Sequence, residues 1–518
     1  MKNIKKTILG LASAVVCMAS FTSCLEETFP TTAATDEMIA TSSTATAAMA
    51  MGMPAKFSDV WSTSSHCYFG YPAEMIFRDM LTGDAYHYGE TGYSHFISWQ
   101  RNQYMGDGYM KTQFHWNYHY GFLLAINGVI GAVNEEVANE VQKGYKGAAY
   151  AFRAQIYLDL ARMYEFLPND IFPDGKNSEG TTVAGLTVPI VTDATTDEEA
   201  RNNPRAPHAE MAAFILEDLD NAERLIEGLP STEGQTLPDL SVVYGLKARL
   251  YMWNEDYANA KDYARRAINA TKIKPISQAK ALSTTAGFNT ATDFMWAGQQ
   301  TSENESVSTG IINWTSWVSN QTTFGYTGGS TALYYVMDKK MYERISDTDW
   351  RKLMFKAPSG SALDGMNVYI TAADAKGAPD YTALKFRPGN GDREDYSAGA
   401  AVAYPIMRVE EMYFIEAEAA AHLNAAEGKN LLIEFMQANR DKNYETVAVD
   451  QEDVIEEIVF QKRVEFWGEG QTFFDIKRLN YSVTRGYPGT NCQDQTSRLN
   501  TNGRPAWMNV VMVQTEKN

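Results

Sequence analysis

Two stretches of the chain set aromatic rings among amide and charged side chains. Trp99 is followed directly by Gln100, Arg101 and Asn102, and Trp314 and Trp317 are flanked by Asn313, Asn320 and Gln321, with Tyr326 a little further on. They belong to two wider aromatic groups, one from Trp61 to Phe122 that includes Tyr104 and Tyr109, the other from Trp296 to Tyr335. An aromatic ring can cover the flat C–H face of a sugar and hide apolar surface from water, while nearby amides, Arg and Asp pair with the hydroxyls. Most rings on helices are core, so Trp116, Tyr120 and Phe122 are assigned to the interior. Trp99, Trp314, Trp317 and Tyr326 lie in polar, loop-like sequence and are expected to be exposed. With Arg101 and Asn102 they form the candidate ligand-binding set.

Other chemistries have thinner support. Of seven histidines, five lie between His66 and His119, and His115 and His119 share helical i,i+4 spacing. That spacing can grip a metal. No Glu follows His115 and no third ligand is spaced to join, so a core or helix-surface role is expected. Asp170, Asp174 and Asn177 crowd around Gly175 without the alternation of a calcium-binding loop. No cofactor is expected, and calcium is left unassigned. Glycoside hydrolysis needs two carboxylates facing each other across a bond, but Glu410, Glu411, Glu416 and Glu418 share one predicted helix. Nucleophile-elbow, Walker and zinc-protease motifs are all missing.

The elements that must position these residues are largely helical. Apolar residues repeat at three and four through Tyr145, Ala149, Phe152, Ile156, Leu160 and Met163, and again from His208 to Glu227. A helical hairpin is expected from Val242 to Trp253 and from Tyr257 to Ala270, with Ala258, Ala264 and Ala267 allowing close approach. Such units suggest stacked helix pairs of the tetratricopeptide kind. Residues 275–400, by contrast, are rich in Gly, Thr, Ser, Asn and aromatics, with a strong turn signal at Pro388-Gly389-Asn390-Gly391-Asp392. Long excursions and short strands projecting from a helical scaffold are expected there, and loops of that length are usually functional.

The N-terminus reads as an export signal. Lys2, Lys5 and Lys6 precede an apolar run from Ile8 to Phe21, too short for a stable membrane span. Loss of residues 1–23 would remove three lysines and no acids, taking the formal net charge from −19 to −22. So acidic a surface argues against nucleic acid and against anionic polymers as the main ligand, an average that a local basic patch could override. Cys67 and Cys492 could pair in an oxidising compartment or stay buried and free.

Near the C-terminus the order of residues says more. Lys462-Arg463-x-Glu465-Phe466, then Glu469-Gly470, Asp475 and Arg478, resembles the ER-x-EF-x-x-EG-x-x-x-x-D-x-x-R block of the SusD/RagB family, with Lys462 where the family usually has Glu. Trp116, Tyr120, Ile126, Asn127 and Ile130, the stretch Leu186 to Val191 with Pro204-Arg205-Ala206, Arg408 to Tyr413, Glu416 to Ala419, and Asn439-Arg440 resemble further family blocks in the same order. Phe21-Thr22-Ser23-Cys24 resembles a relaxed lipobox that would acylate Cys24, and Glu26-Glu27 resembles a surface-export signal.

The resemblance implies a mainly α, SusD-like fold of tetratricopeptide-like helical repeats with long loop-rich insertions and a few short strands. It implies a signal peptide at 1–23, a lipidated tether and first helix at 24–55, and one domain at 56–518. Helical repeats would occupy about 116–272 and 405–480, and ligand-binding insertions about 57–115 and 275–400. By the same resemblance the protein is a lipid-anchored outer-membrane protein facing the cell exterior. It would capture a glycan and deliver it to a SusC-like TonB-dependent transporter, without catalysis. A peptide-binding member of the family, or a surface glycosidase, are the alternatives.

Overall fold

The computed structural model describes residues 42–89, 95–230, 235–328, 333–366 and 377–516. The signal peptide, Cys24 and the start of the tether region lie outside these residues. Helices α1 (Ser43–Lys56), α2 (Tyr71–Met80), α3 (His95–Gln100), α4 (Met110–Ala132) and α5 (Glu140–Tyr164) come first. The first helical region continues with α6 (His208–Leu225), α7 (Leu240–Trp253) and α8 (Tyr257–Ala270). A short α9 (Trp314–Val318) sits in the loop-rich part, and α10 (Val409–Leu423), α11 (Ala425–Asn439), α12 (Gln451–Glu465) and α13 (Thr472–Leu479) form the second region.

Local chemistry sets these boundaries. Asn139 and Gln142 cap α5 reciprocally at 3.0 and 3.1 Å, satisfying amides that a helix start leaves open. Asp239, Asp256 and Asp450 accept from the first-turn amides of α7, α8 and α12. Gly470, at φ +69°, follows the last turn of α12; a Cβ there would sit 2.7 Å from the Met75 Cα. Its N–H donates to the Asp79 carboxylate at 3.1 Å, so the turn docks on α2.

The two helical regions stack into one array. α4, α5, α6, α7 and α8 pack in succession, and α8 also packs on α10, which packs on α11 and α12. The side chains α8 buries are Ala260, Ala264 and Ala267, small enough to let α7 and α10 close on it from two sides. Arg249–Glu411 at 2.6 Å and Arg265–Glu416 at 2.5 Å tie the regions together across that seam. One apolar cluster then runs from Ala50 to Val513.

The loop-rich parts do not simply project. Strand β1 (Ala85–Tyr88) pairs antiparallel with β3 (Tyr334–Met337), and β2 (Trp296–Gln299) pairs antiparallel with β4 (Ala403–Met407). The first pairing clamps the two insertion regions to each other, with His87 opposite Tyr335. Cys67 and Cys492 are buried free thiols, which decides between the two readings of the pair.

The blocks that carried the family resemblance meet in a buried charge network. Arg408 bonds Glu465 at 2.6 Å, Glu410 at 2.8 Å and Glu469 at 2.8 Å. Arg440 reaches Glu465 and Glu410, Arg351 reaches Asp349 and Glu465, and Lys385 reaches Glu469. Lys462, the departure from the family block, pairs with Asp475 at 2.9 Å instead.

Candidate ligand-binding surface

The expected exposure of the candidate rings is corrected by the fold. Trp99 is 0% exposed, Trp314 and Trp317 1%, and Tyr326 6%. Trp99 lies between Phe77 and Phe96, each with its ring centre 5.0 Å away. Phe96 meets Trp317 edge to face at 4.7 Å, and Trp317 stacks on Tyr326 at 4.2 Å. The Trp317 indole donates to the His66 carbonyl at 3.0 Å, and the Tyr326 hydroxyl bonds His66 Nδ1. Trp314 stands apart from this spine, against Phe386 at 5.1 Å.

The polar neighbours that suggested a wet loop are spent inside. Asn313 caps α9 by accepting from the Ser316 amide at 2.9 Å. Asn320 donates to the Tyr335 and Ala383 carbonyls and accepts from the Tyr335 amide at 2.8 Å. Gln100 accepts from the His87 amide at 2.9 Å. An interior with few strands leaves backbone groups unpaired, and buried amide side chains satisfy them. Rings that each bury about 150–250 Å² then pack beneath.

Arg101 and Asn102 lie on the loop between α3 and α4, and it is this loop that reaches solvent. Arg101 Nε donates to Asp494 at 2.5 Å. Burial raises the Asp494 carboxyl, but hydrogen bonds from Ser497, Arg101 and Thr496 outweigh that and hold it at about 2. Asn102 and Tyr104 adopt left-handed backbone, φ 55° and 58°, a conformation that costs a tyrosine roughly 1–2 kcal/mol. The loop is held by Thr112, whose hydroxyl donates to the Gly106 carbonyl at 2.6 Å, and by Gln514, whose amide donates to the Asp107 carbonyl at 3.1 Å.

Two rings stand out on this loop. Tyr104 is 53% and Tyr109 48% exposed, edge to face with centres 5.3 Å apart. Neither belongs to the candidate ligand-binding set that the sequence suggests. Their signal was the Gly106-Asp107-Gly108 stretch between them, which prevents helix and keeps the rings outside. Beneath the loop lies a cavity of about 190 Å³ bordered by Trp99, Asn102, Lys111 and Trp507. Trp99 and Asn102 thus share one wall, while Trp314, Trp317 and Tyr326 lie deeper and elsewhere.

His115 and His119 are buried, as the core reading expects. Their Nδ1 atoms bond Glu74 at 2.6 Å and the His115 carbonyl at 2.6 Å respectively. Asn177 accepts from the Glu179 and Thr181 amides in a turn. Among the described residues no group of three or more His, Cys, Asp or Glu could hold a metal ion. Among them, too, no helix is long and apolar enough to cross a membrane.

Comparison with known proteins gives this arrangement a family. The model described as "SusD family" matches residues 366–516, and one described as "Starch-binding associating with outer membrane" matches residues 74–252. The resemblance to the SusD/RagB family is thus shown over two separate segments of the chain. The C-terminal match contains Arg408, Arg440, Glu465 and Glu469, so the family block is the buried charge network. A SusD-like carbohydrate binding protein from Bacteroides vulgatus superposes with a TM-score of 0.70 at 20% identity, over 92% of this chain and 95% of that one. A SusD superfamily protein from Bacteroides thetaiotaomicron gives 0.67 at 17% identity, over 92% and 97%. Another from Bacteroides fragilis gives 0.63 at 20% identity, over 89% and 96%. The fold is therefore SusD-like and mainly helical, as the sequence implies. No curated protein matches the chain.

Proposed function

We propose that this chain captures an oligo- or polysaccharide at the cell surface and delivers it to a SusC-like TonB-dependent transporter, without cleaving it. Residues 1–23 are read as the signal peptide and Cys24 as the acylated anchor to the outer membrane. The observation that carries the reading is the Tyr104–Tyr109 pair, two half-exposed rings edge to face on a loop that also presents Asn102 and Gln103. The left-handed backbone of Tyr104 supports it, because strain of that kind gathers at ligand sites. Arg101 and Asn102 belong to this surface and Trp99 to its floor. Trp317 and Tyr326 support it from below, and Trp314 lies outside it.

Binding without catalysis is supported by the state of the carboxylates on α10. Glu410, Glu411, Glu416 and Glu418 are each held by an arginine: Arg408, Arg249, Arg265 and Arg478. None is left as a free acid or base for glycoside hydrolysis. A tether beside a transporter raises effective ligand concentration, so modest intrinsic affinity suffices.

The test is retardation of the mature protein in native gels containing a panel of glycans, with product analysis of each incubation. Retardation by a glycan that is recovered intact, lost in Tyr104→Ala/Tyr109→Ala, is expected. New reducing ends would overturn the non-catalytic reading, and retardation that survives the double variant would move the site.

A further inference from the structure

The cavity beneath the Tyr104–Tyr109 loop has an unusual balance of hydrogen-bonding groups. Most of its polar wall is already spent. The Thr112 hydroxyl is used on Gly106, Asn509 bonds the Leu167 backbone with both ends of its amide, and His115 is held by Glu74. Asn102 at the rim is exposed, and two buried groups keep protons unspent. The Trp99 indole N–H is buried without a partner among the described residues. Lys111 is 5% exposed, sits 4.0 Å over the Trp99 ring, and among the described residues makes one hydrogen bond, to the His95 carbonyl at 2.6 Å. An ammonium has three protons to donate and an indole one, and neither group accepts. The cavity therefore offers donors and asks for acceptors.

The charge balance narrows the acceptor. Lys111 forms no ion pair among the described residues. Among the described residues, the groups facing it from the neighbouring segments do not compensate its charge. Burial pushes the Cys67 thiol up to about 12 and the His95 imidazole down to about 4, and burial also lowers His66. Glu74 is occupied by His115. Trp507 and Asn509 bring no charge. Burial outweighs the opposing effect of Cys67 and lowers the Lys111 ammonium to about 7. A desolvated cation without a partner is costly, and an anion brought beside it recovers that cost.

We propose that this cavity takes the carboxylate of an acidic sugar residue, of the uronic acid class, on Lys111 Nζ and the Trp99 indole N–H. The sugar assignment rests on the glycan-capture reading; the carboxylate assignment rests on the donors alone. The protein's bulk negative charge does not forbid it, since exposed charges beyond about 8 Å are screened at physiological salt while Lys111 acts at contact.

The experiment compares polygalacturonate with its fully methyl-esterified form, which keeps the backbone and removes the charge. The mature protein is expected to bind the acid at least tenfold more tightly, and Lys111→Met to abolish that preference while still folding by circular dichroism. Binding of the acid should weaken about tenfold per pH unit above pH 7, as Lys111 loses its proton. In parallel, D-galacturonate should raise the melting temperature of the native protein but not of Lys111→Met, with D-galactose as control. Equal binding of acid and ester, or a preference that survives Lys111→Met, would overturn the proposal, as would no response to D-galacturonate. Stabilisation by D-galacturonate through Lys111 without retardation by any polymer would uphold the carboxylate site and sink the capture reading. Retardation by neutral glycans alone, lost with Tyr104 and Tyr109, would do the reverse.

Discussion

Arg408 and Glu465 stand 57 residues apart in the chain and meet at 2.6 Å with both side chains 1% exposed. Each also serves others: Glu465 accepts from Arg351 and Arg440, and Arg408 donates to Glu410 and Glu469. The strand β4, the start of α10, the end of α11 and the end of α12 are thereby fixed to one point. Removing one partner strands the rest in low dielectric. Glu465→Ala should therefore cost roughly 3–5 kcal/mol, measured by urea unfolding. A loss under about 1 kcal/mol would show that the network relaxes or hydrates.

A second buried carboxylate governs acid stability. Burial raises Asp159, but Arg78, Arg162 and the Tyr71 hydroxyl outweigh it and hold the group at about 2. A carboxyl depressed in the folded state stabilises above its unfolded value of 3.8 and loses that contribution as pH falls through about 2. The shift corresponds to about 2 kcal/mol. Melting temperature should drop between pH 4 and pH 2, and less steeply in Asp159→Asn. An identical slope in both proteins would assign acid unfolding to other groups.

Surface and spine aromatics should separate in their effects. Tyr104→Ala and Tyr109→Ala each remove a half-exposed ring and should change stability by less than about 0.5 kcal/mol. Glycan affinity should fall about tenfold in each, corresponding to about 1.4 kcal/mol. Affinity electrophoresis beside thermal melting reads both quantities.

Trp317→Ala should behave oppositely. It vacates a stack on Tyr326 and an edge contact with Phe96, at a cost of roughly 3–5 kcal/mol. Its binding defect should track the unfolded fraction and recover on cooling. A folded variant that has lost glycan would return Trp317 to the ligand surface.

The contact of α5 with the turn after α6 depends on two missing side chains. A Cβ on Gly228 would lie 2.0 Å from the Glu140 carbonyl oxygen, and one on Gly144 2.2 Å from the Leu229 nitrogen. Because backbone lies on the far side of both contacts, neither can yield cheaply. Gly228→Ala should destabilise by about 1–3 kcal/mol, read as a lower urea midpoint.

The helical array was legible from sequence because its signal is local and repeated. The spacing of Phe152, Ile156 and Leu160 required a buried helix face, and the break at Asn254-Glu255-Asp256 placed the α7–α8 turn. The ordered blocks around Arg408, Arg440 and Glu465 identified the family because each residue type there is demanded by the others. What those residues do, closing one neutral network, depends on approach across 57 positions and was settled by tertiary structure. The site diverged for the same reason. Asn313, Asn320 and Gln100 looked like wet loop residues, yet they pair buried backbone groups, and the rings beside them became core. Exposure of Tyr104 and Tyr109, and the isolation of Lys111 over Trp99, follow from which surfaces the fold covers. Composition fixes how many polar groups must be satisfied; only the packed chain decides which of them are left to meet a ligand.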